Sequence, residues 1–269
     1  MQTTILRSRT PSASLHPNSK GALAGSDPSS GPRNDPRNDP RVRLIVALDV
    51  ATAAQAQKIV AAVGDSALTY KVGMQLYTAE GPQVVRDLVS AGRRVFLDLK
   101  YHDIPNTVAA AVSEAAKLGV SMLTVHAAGS VKMLRAAVEA ARAHSATLQV
   151  LGVTVLTSLD ENDLDKIGVR GTVLEEVQRL SALALSHGCD GVVASAREAA
   201  TLRAKLGDNF SIVTPGVRLA GSGHGDQVRV VTPAEAIAAG ASQIVVGRPI
   251  TDAADPAAAA REMLEQIGS

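Results

Sequence analysis

Aromatic side chains are scarce. The chain has 269 residues but no Trp, two Phe and three Tyr. Proteins that stack on nucleic-acid bases need more ring surface than this, so nucleic acid is not an expected partner. The core must be built from Ala, Val, Leu and Ile. Cysteine is scarcer still: Cys189 stands alone. That excludes an internal disulfide and a multi-cysteine metal site, and it fits a reducing, cytoplasmic setting. Charge of one sign is lacking too, with Lys and Arg numbering 27 against 26 Asp and Glu. A net charge of +1 gives no electrostatic case for a polyanion, but it leaves room for a small anion held by a few placed cations. No apolar run reaches the ~18 residues of a membrane span.

What is present is mostly aliphatic, with 46% of residues hydrophobic. The first forty residues differ, being rich in Ser, Pro, Arg, Asn and Gly and closing on a repeated Asn-Asp-Pro-Arg. Residues 1–41 are expected to be a disordered extension. A transit peptide is the alternative, because no acidic residue precedes Asp27. Residues 42–269 are expected to form one catalytic domain.

From Leu44 onward short apolar runs alternate with longer Ala-rich stretches of helical spacing. Strands are expected at 44–49, 68–72, 94–98, 122–126, 149–154, 191–195, 211–214 and 243–246. Helices are expected at 52–63, 80–91, 106–118, 130–144, 172–187, 196–206, 233–239 and 252–267. Alternation of this kind implies a parallel sheet covered by helices. Eight such units point to a closed (β/α)₈ barrel. An open doubly wound sheet is the competitor, but the turn after the first strand, Asp49-Val50-Ala51-Thr52, lacks its usual glycines.

Active sites of such barrels lie at the C-terminal ends of the strands. Polar residues closing apolar runs therefore carry the functional signal. The densest is Asp98-Leu99-Lys100-Tyr101-His102-Asp103. If the strand persists, period-two alternation puts Asp98 and Lys100 on one face. Asp49 and Lys71 end neighbouring runs, so acids and bases should crowd one mouth. Late in the chain, Thr214-Pro215-Gly216-Val217-Arg218 and Gly247-Arg248-Pro249 resemble the two loops that hold phosphate in many barrels. Arg248 is suited to bidentate phosphate contact. Between these loops, residues 219–227 hold three closely spaced glycines and read as a lid, with His224 solvated within it. His126 either lines the pocket or is structural. Cys189 reads as inert packing, and the five Met as core fillers.

These motifs resemble the orotidine 5′-monophosphate decarboxylase family over about residues 42–252. The most specific stretch runs from Asp98 through Ile104-Pro105-Asn106-Thr107. Leu48-Asp49, Tyr70-Lys71-Val72-Gly73, Leu156-Thr157-Ser158, Thr214–Arg218 and Val246-Gly247-Arg248 follow in the family's order. The resemblance implies a cofactor-free, metal-free decarboxylation that yields UMP in pyrimidine biosynthesis, with Lys100 delivering a proton to pyrimidine C6. It implies that Asp49 and Lys71 contact the ribose region. Asp98, Lys100 and Asp103 form a charged array that Lys71 completes. Thr157 and Ser158 lie near the pyrimidine, and Arg218, Gln227, Gly247 and Arg248 hold the phosphate. It further implies a homodimer in which Asp103 and Thr107 act across the interface. The N-terminal extension is the one departure. Three other readings stay open: a Mg²⁺-dependent phosphosugar lyase, a Schiff-base aldolase using Lys71 or Lys100, and a noncatalytic nucleotide-binding barrel. The first would need a further carboxylate near the second strand, where Lys71 stands.

Overall fold

The computed structural model describes residues 39–218 and 231–268. The expected tail up to residue 38 and the expected lid, with His224 and Gln227, lie outside the described residues.

Eight parallel strands close into a barrel in chain order. They are β1 (Leu44–Ala47), β2 (Thr69–Gly73), β3 (Arg94–Tyr101), β4 (Met122–His126), β5 (Gln149–Val153), β6 (Gly191–Val193), β7 (Ser211–Pro215) and β8 (Gln243–Val246). Closure is made by β8 pairing with β1, Leu44 opposite Ile244. Alternation along β1 shows how one run serves two cores. Ile45 and Ala47 point into the barrel, where Phe96, Met122, Leu151, Val213 and Val245 join them. Leu44, Val46 and Leu48 point outward into the layer beneath the helices. Both faces are apolar, which is why the strands read as unbroken hydrophobic runs.

Helices fill the gaps. They begin with α1 (Pro40–Arg43), α2 (Ala53–Val63), α3 (Met74–Glu80), α4 (Gln83–Ser90), α5 (Pro105–Lys117) and α6 (Val131–His144). They continue with α7 (Glu161–Lys166), α8 (Val173–Ser186), α9 (Ala196–Leu206), α10 (Pro233–Ala238), α11 (Arg248–Thr251) and α12 (Pro256–Gly268). Thr52, Thr172, Ser195 and Thr232 each close a capping box with a Gln or Glu three residues on. Each thereby satisfies backbone N–H groups that the helix start would leave open.

Several boundaries differ from expectation. The helix expected at 80–91 starts later, as α4, and a further helix, α3, precedes it; Gly81 at φ 66° and Pro82 part the two. The helix expected at 252–267 is likewise preceded by the separate turn α11. A short helix, α7, occupies a stretch where none was expected; Asp160 caps it reciprocally with Asp163. β3 runs three residues beyond its expected end, carrying the strand through Lys100 to Tyr101.

Close approach of β6 and β7 explains one glycine. A Cβ on Gly191 would lie 2.3 Å from the Ser211 carbonyl oxygen. Backbone cannot swing aside as a side chain does, so Gly191→Ala should lower unfolding free energy by ~1–3 kcal/mol or more in urea titrations. Gly268→Ala, where an added Cβ meets nothing within 4 Å, should leave it almost unchanged.

Candidate active site

Four charged side chains form a row across the mouths of β1 to β3. Lys71 Nζ donates to Asp49 Oδ1 at 2.7 Å and lies 4.0 Å from Asp98 Oδ2. Lys100 Nζ reaches both Asp98 oxygens at 2.9 Å. Signs alternate along the row, which is what partly buried charges require. The side chains of Lys71 and Asp98 are only 12% and 14% exposed, against 60% for Asp49. Register explains the placement: Lys71 lies opposite Phe96 and Gly73 opposite Asp98, so Asp98 stands two residues nearer the mouth than Lys71. Gly73 leaves the space in which the row lies, because a Cβ there would be 3.0 Å from Lys71 Nζ.

Lys100 does not arrive by simple alternation. β3 and β4 pair at Leu97 with Leu123 and again at Tyr101 with Val125. Four steps on β3 therefore match two on β4, and the extra residues bulge. Within the bulge Lys100 takes φ 52°, the left-handed region that a long side chain rarely occupies. The expectation of a regular strand through Asp98 and Lys100 is thus corrected. The strand does persist through Lys100, but the two side chains meet across a bulge and not along a regular ladder. Thr124, which sequence reasoning did not single out, fills the gap in the ladder. Its Oγ1 accepts from Lys100 N at 2.9 Å and donates to Asp98 Oδ1 at 3.0 Å.

Two cavities meet along the row. The larger, about 620 Å³, runs from Asp49, Lys71 and Asp98 to Gly216, Arg218, Gly247 and Arg248. Gly216 has φ 80°, a turn conformation open to glycine. The smaller, about 230 Å³, shares Lys71 and Asp98, adds Lys100, Thr157 and Ser158, and is walled by Phe96, Val153 and Val193. One end is therefore cationic, the middle carries the charged row, and the far end is apolar. The apolar walls were missed from the sequence because their residues look like ordinary core.

Asp103 and Thr107 are not brought to this row within one chain. They line a third hollow, of about 330 Å³, with Leu99, Tyr101 and His102, and of the row only Lys100 borders it. Asp103 Oδ1 accepts from Ile104 N at 2.6 Å. His126 lines neither of the two site cavities. Its ring lies 5.3 Å from that of His102 at 36°. Cys189 is buried, and burial pushes its thiol up to about 12, which fits inert packing. Among the described residues no group of three His, Cys, Asp or Glu could hold a metal ion, and no helix is long and apolar enough to cross a membrane.

Residues 42–263 match the family described as orotidine 5′-phosphate decarboxylase / HUMPS. The chain belongs to that family. The orotidine 5′-phosphate decarboxylase of Afipia carboxidovorans is 53% identical over 225 residues, 84% of this chain and 94% of that protein. The enzyme of the same name from Moorella thermoacetica is 51% identical over 231 residues, 84% of this chain and 92% of its own length. Among solved structures, that of the Lactobacillus acidophilus orotidine 5′-phosphate decarboxylase superposes with a TM-score of 0.77 at 39% identity. It covers 85% of this chain and all of that one. Family membership and the eight-stranded closure agree with each other, and the charged row lies at the C-terminal ends of the strands.

Burial holds the His126 pKa below 6.5, and the neighbouring His102 and Lys100 add to the effect against an opposing pull from Asp98. An unfolded chain therefore binds a proton near pH 6.5 that the folded chain refuses. Stability due to this group is present above pH 6.5 and is lost as pH falls through the lower folded value. His126→Gln should flatten the loss of Tm between pH 7 and pH 5, measured by calorimetry.

Proposed function

We propose that this chain removes carbon dioxide from orotidine 5′-phosphate to give UMP, using its own side chains and no metal or cofactor. The row Asp49–Lys71–Asp98–Lys100, lying between a cationic end and an apolar recess, carries this reading. A phosphorylated nucleotide has the matching order of parts. Arg218, Gly247 and Arg248 would hold the phosphate, with Gln227 a further candidate from the sequence. Asp49 and Lys71 would meet the ribose. The pyrimidine would lie toward Thr157 and Ser158, with C6 facing Lys100.

In the reaction the C6–carboxylate bond breaks and its electron pair stays on C6. The Lys100 ammonium stabilises that pair as it forms and then gives it a proton. Carbon dioxide leaves, and the neutral amine regains a proton from water. Asp98 has two roles. It holds Lys100 in place, and its charge opposes the substrate carboxylate. Two like charges ~4 Å apart at an effective dielectric of ~20 repel by about 4 kcal/mol. That is worth roughly three decades of rate, too little for so hard a bond cleavage, so stabilisation of the carbanion carries more. Phosphate binding at the cationic end supplies energy to order the site.

The dimer belongs to the same proposal. Asp103 and Thr107 line a hollow that only Lys100 of their own chain's row borders, and Ile104 beside Asp103 is an apolar side chain 67% exposed. A second copy covering Ile104 would bring Asp103 to a neighbouring site.

Lys100→Ala should lower kcat by ~10⁴-fold or more while UMP still binds, read by absorbance and calorimetry. Near-normal turnover would refute the role of Lys100, and loss of activity with EDTA would refute the metal-free chemistry. Mixing inactive Lys100→Ala with inactive Asp103→Ala tests the dimer. If Asp103 acts across the interface, mixed dimers contain one intact site, and about a quarter of wild-type activity returns. If it acts within its own chain, nothing returns.

A further inference from the structure

We propose that Thr124 is the positioning residue of the charged row, setting both the approach of Lys100 and the orientation of Asp98 through one hydroxyl. This rests on the decarboxylase reading and adds to it a residue outside the cavity linings.

The hydroxyl has one proton and can also accept. Its neighbours leave no choice of role. The Lys100 backbone N–H can only donate, and it points at Oγ1 from 2.9 Å. The proton is therefore free for Asp98 Oδ1 at 3.0 Å, where a carboxylate accepts it. In a regular ladder a β4 carbonyl would take the Lys100 N–H. The bulge removes that partner, and Thr124 Oγ1 replaces it. Left-handed backbone at a lysine is costly and persists only where its surroundings over-determine it. Here the hydrogen bond from Lys100 N and the ion pair from Lys100 Nζ to Asp98 fix the residue at both ends.

Thr124 is fully buried, so water cannot substitute for it. Burial alone does not give a threonine such partners in this barrel. Thr69 and Thr214 on β2 and β7 are buried as deeply, and their hydroxyls meet no partner among the described residues. Thr124 is thus set apart by its contacts and not by its depth. Its two bonds tie the backbone that carries the proton donor to the carboxylate that aligns it. Loss of the hydroxyl would let Lys100 and Asp98 drift relative to each other while leaving the phosphate end untouched.

The test is steady-state kinetics on the full chain with orotidine 5′-phosphate. Thr124→Val keeps the shape and deletes the oxygen. It should lower kcat by about 10- to 100-fold with KM changed by less than about threefold. Thr124→Ser should recover to within about threefold of wild type, and Thr69→Val should match wild type in both constants. Because Ser and Ala differ only by the oxygen, Thr124→Ser and Thr124→Ala carry the test if the Val variant does not fold. Equal kcat in Thr124→Val and wild type, equal losses in Ser and Ala, or a change confined to KM would each overturn the positioning role alone. No turnover by the wild-type chain would overturn the decarboxylase reading and this inference with it.

Discussion

One carboxylate is shared by two ammonium groups, and the site is organised around it. Asp98 takes Lys100 on both of its oxygens at 2.9 Å and stands 4.0 Å from Lys71. Removing a single member from such a partly buried set costs more than the set contributes, because the remaining charges lose their partners. Asp98 therefore holds two cations near each other that would otherwise repel. It does so at the strand end, where the apolar interior gives way to the mouth of the barrel. A preorganised field of this kind need not be rebuilt when charge develops in a reaction.

The barrel supplies what the row needs. Parallel strands bring residues distant in sequence to one rim, Asp49 beside Lys71 and Lys71 beside Asp98. The interior cluster of Ile45, Phe96, Met122, Leu151 and Val213 gives them a rigid floor. The bulge in β3 then turns Lys100 back over Asp98. Its left-handed backbone is a local conflict between propensity and structure, and such conflicts gather where function demands them. At the opposite side of the mouth, Gly216 and Gly247 open the backbone beside Arg218 and Arg248, so the anion-holding end and the charged row belong to one continuous space.

Much of this was legible in the sequence. Unbroken apolar runs located all eight strands, because both faces of each are buried. Asp49, Lys71, Asp98 and Lys100 were legible as charged residues closing such runs, Arg218, Gly247 and Arg248 as phosphate-loop motifs, and Thr157 and Ser158 through the family resemblance; the structure places every one of them along the two cavities. Other features were written in local chemistry but passed over, such as the Gly81-Pro82 break and the Asp160 cap. Thr124 was not legible. It sits within an apolar run, and its meaning depends on a bulge in another strand that no local pattern announces. The apolar recess was hidden for a similar reason, since Val153 and Val193 differ from core valines only in facing an empty space. Asp103 was legible as part of a motif, but within one chain it lines neither site cavity and shares a hollow with Lys100 alone of the row.

The central claim is that Lys71 and Lys100, held by Asp98, address a single pyrimidine ring. A crystal structure of the chain with UMP bound tests it most directly. The account predicts the phosphate between Arg218 and Arg248, C6 within hydrogen-bonding reach of Lys100 Nζ, and Asp98 still bonded to Lys100. A ring seated elsewhere, or the two lysines turned into separate spaces, would contradict it.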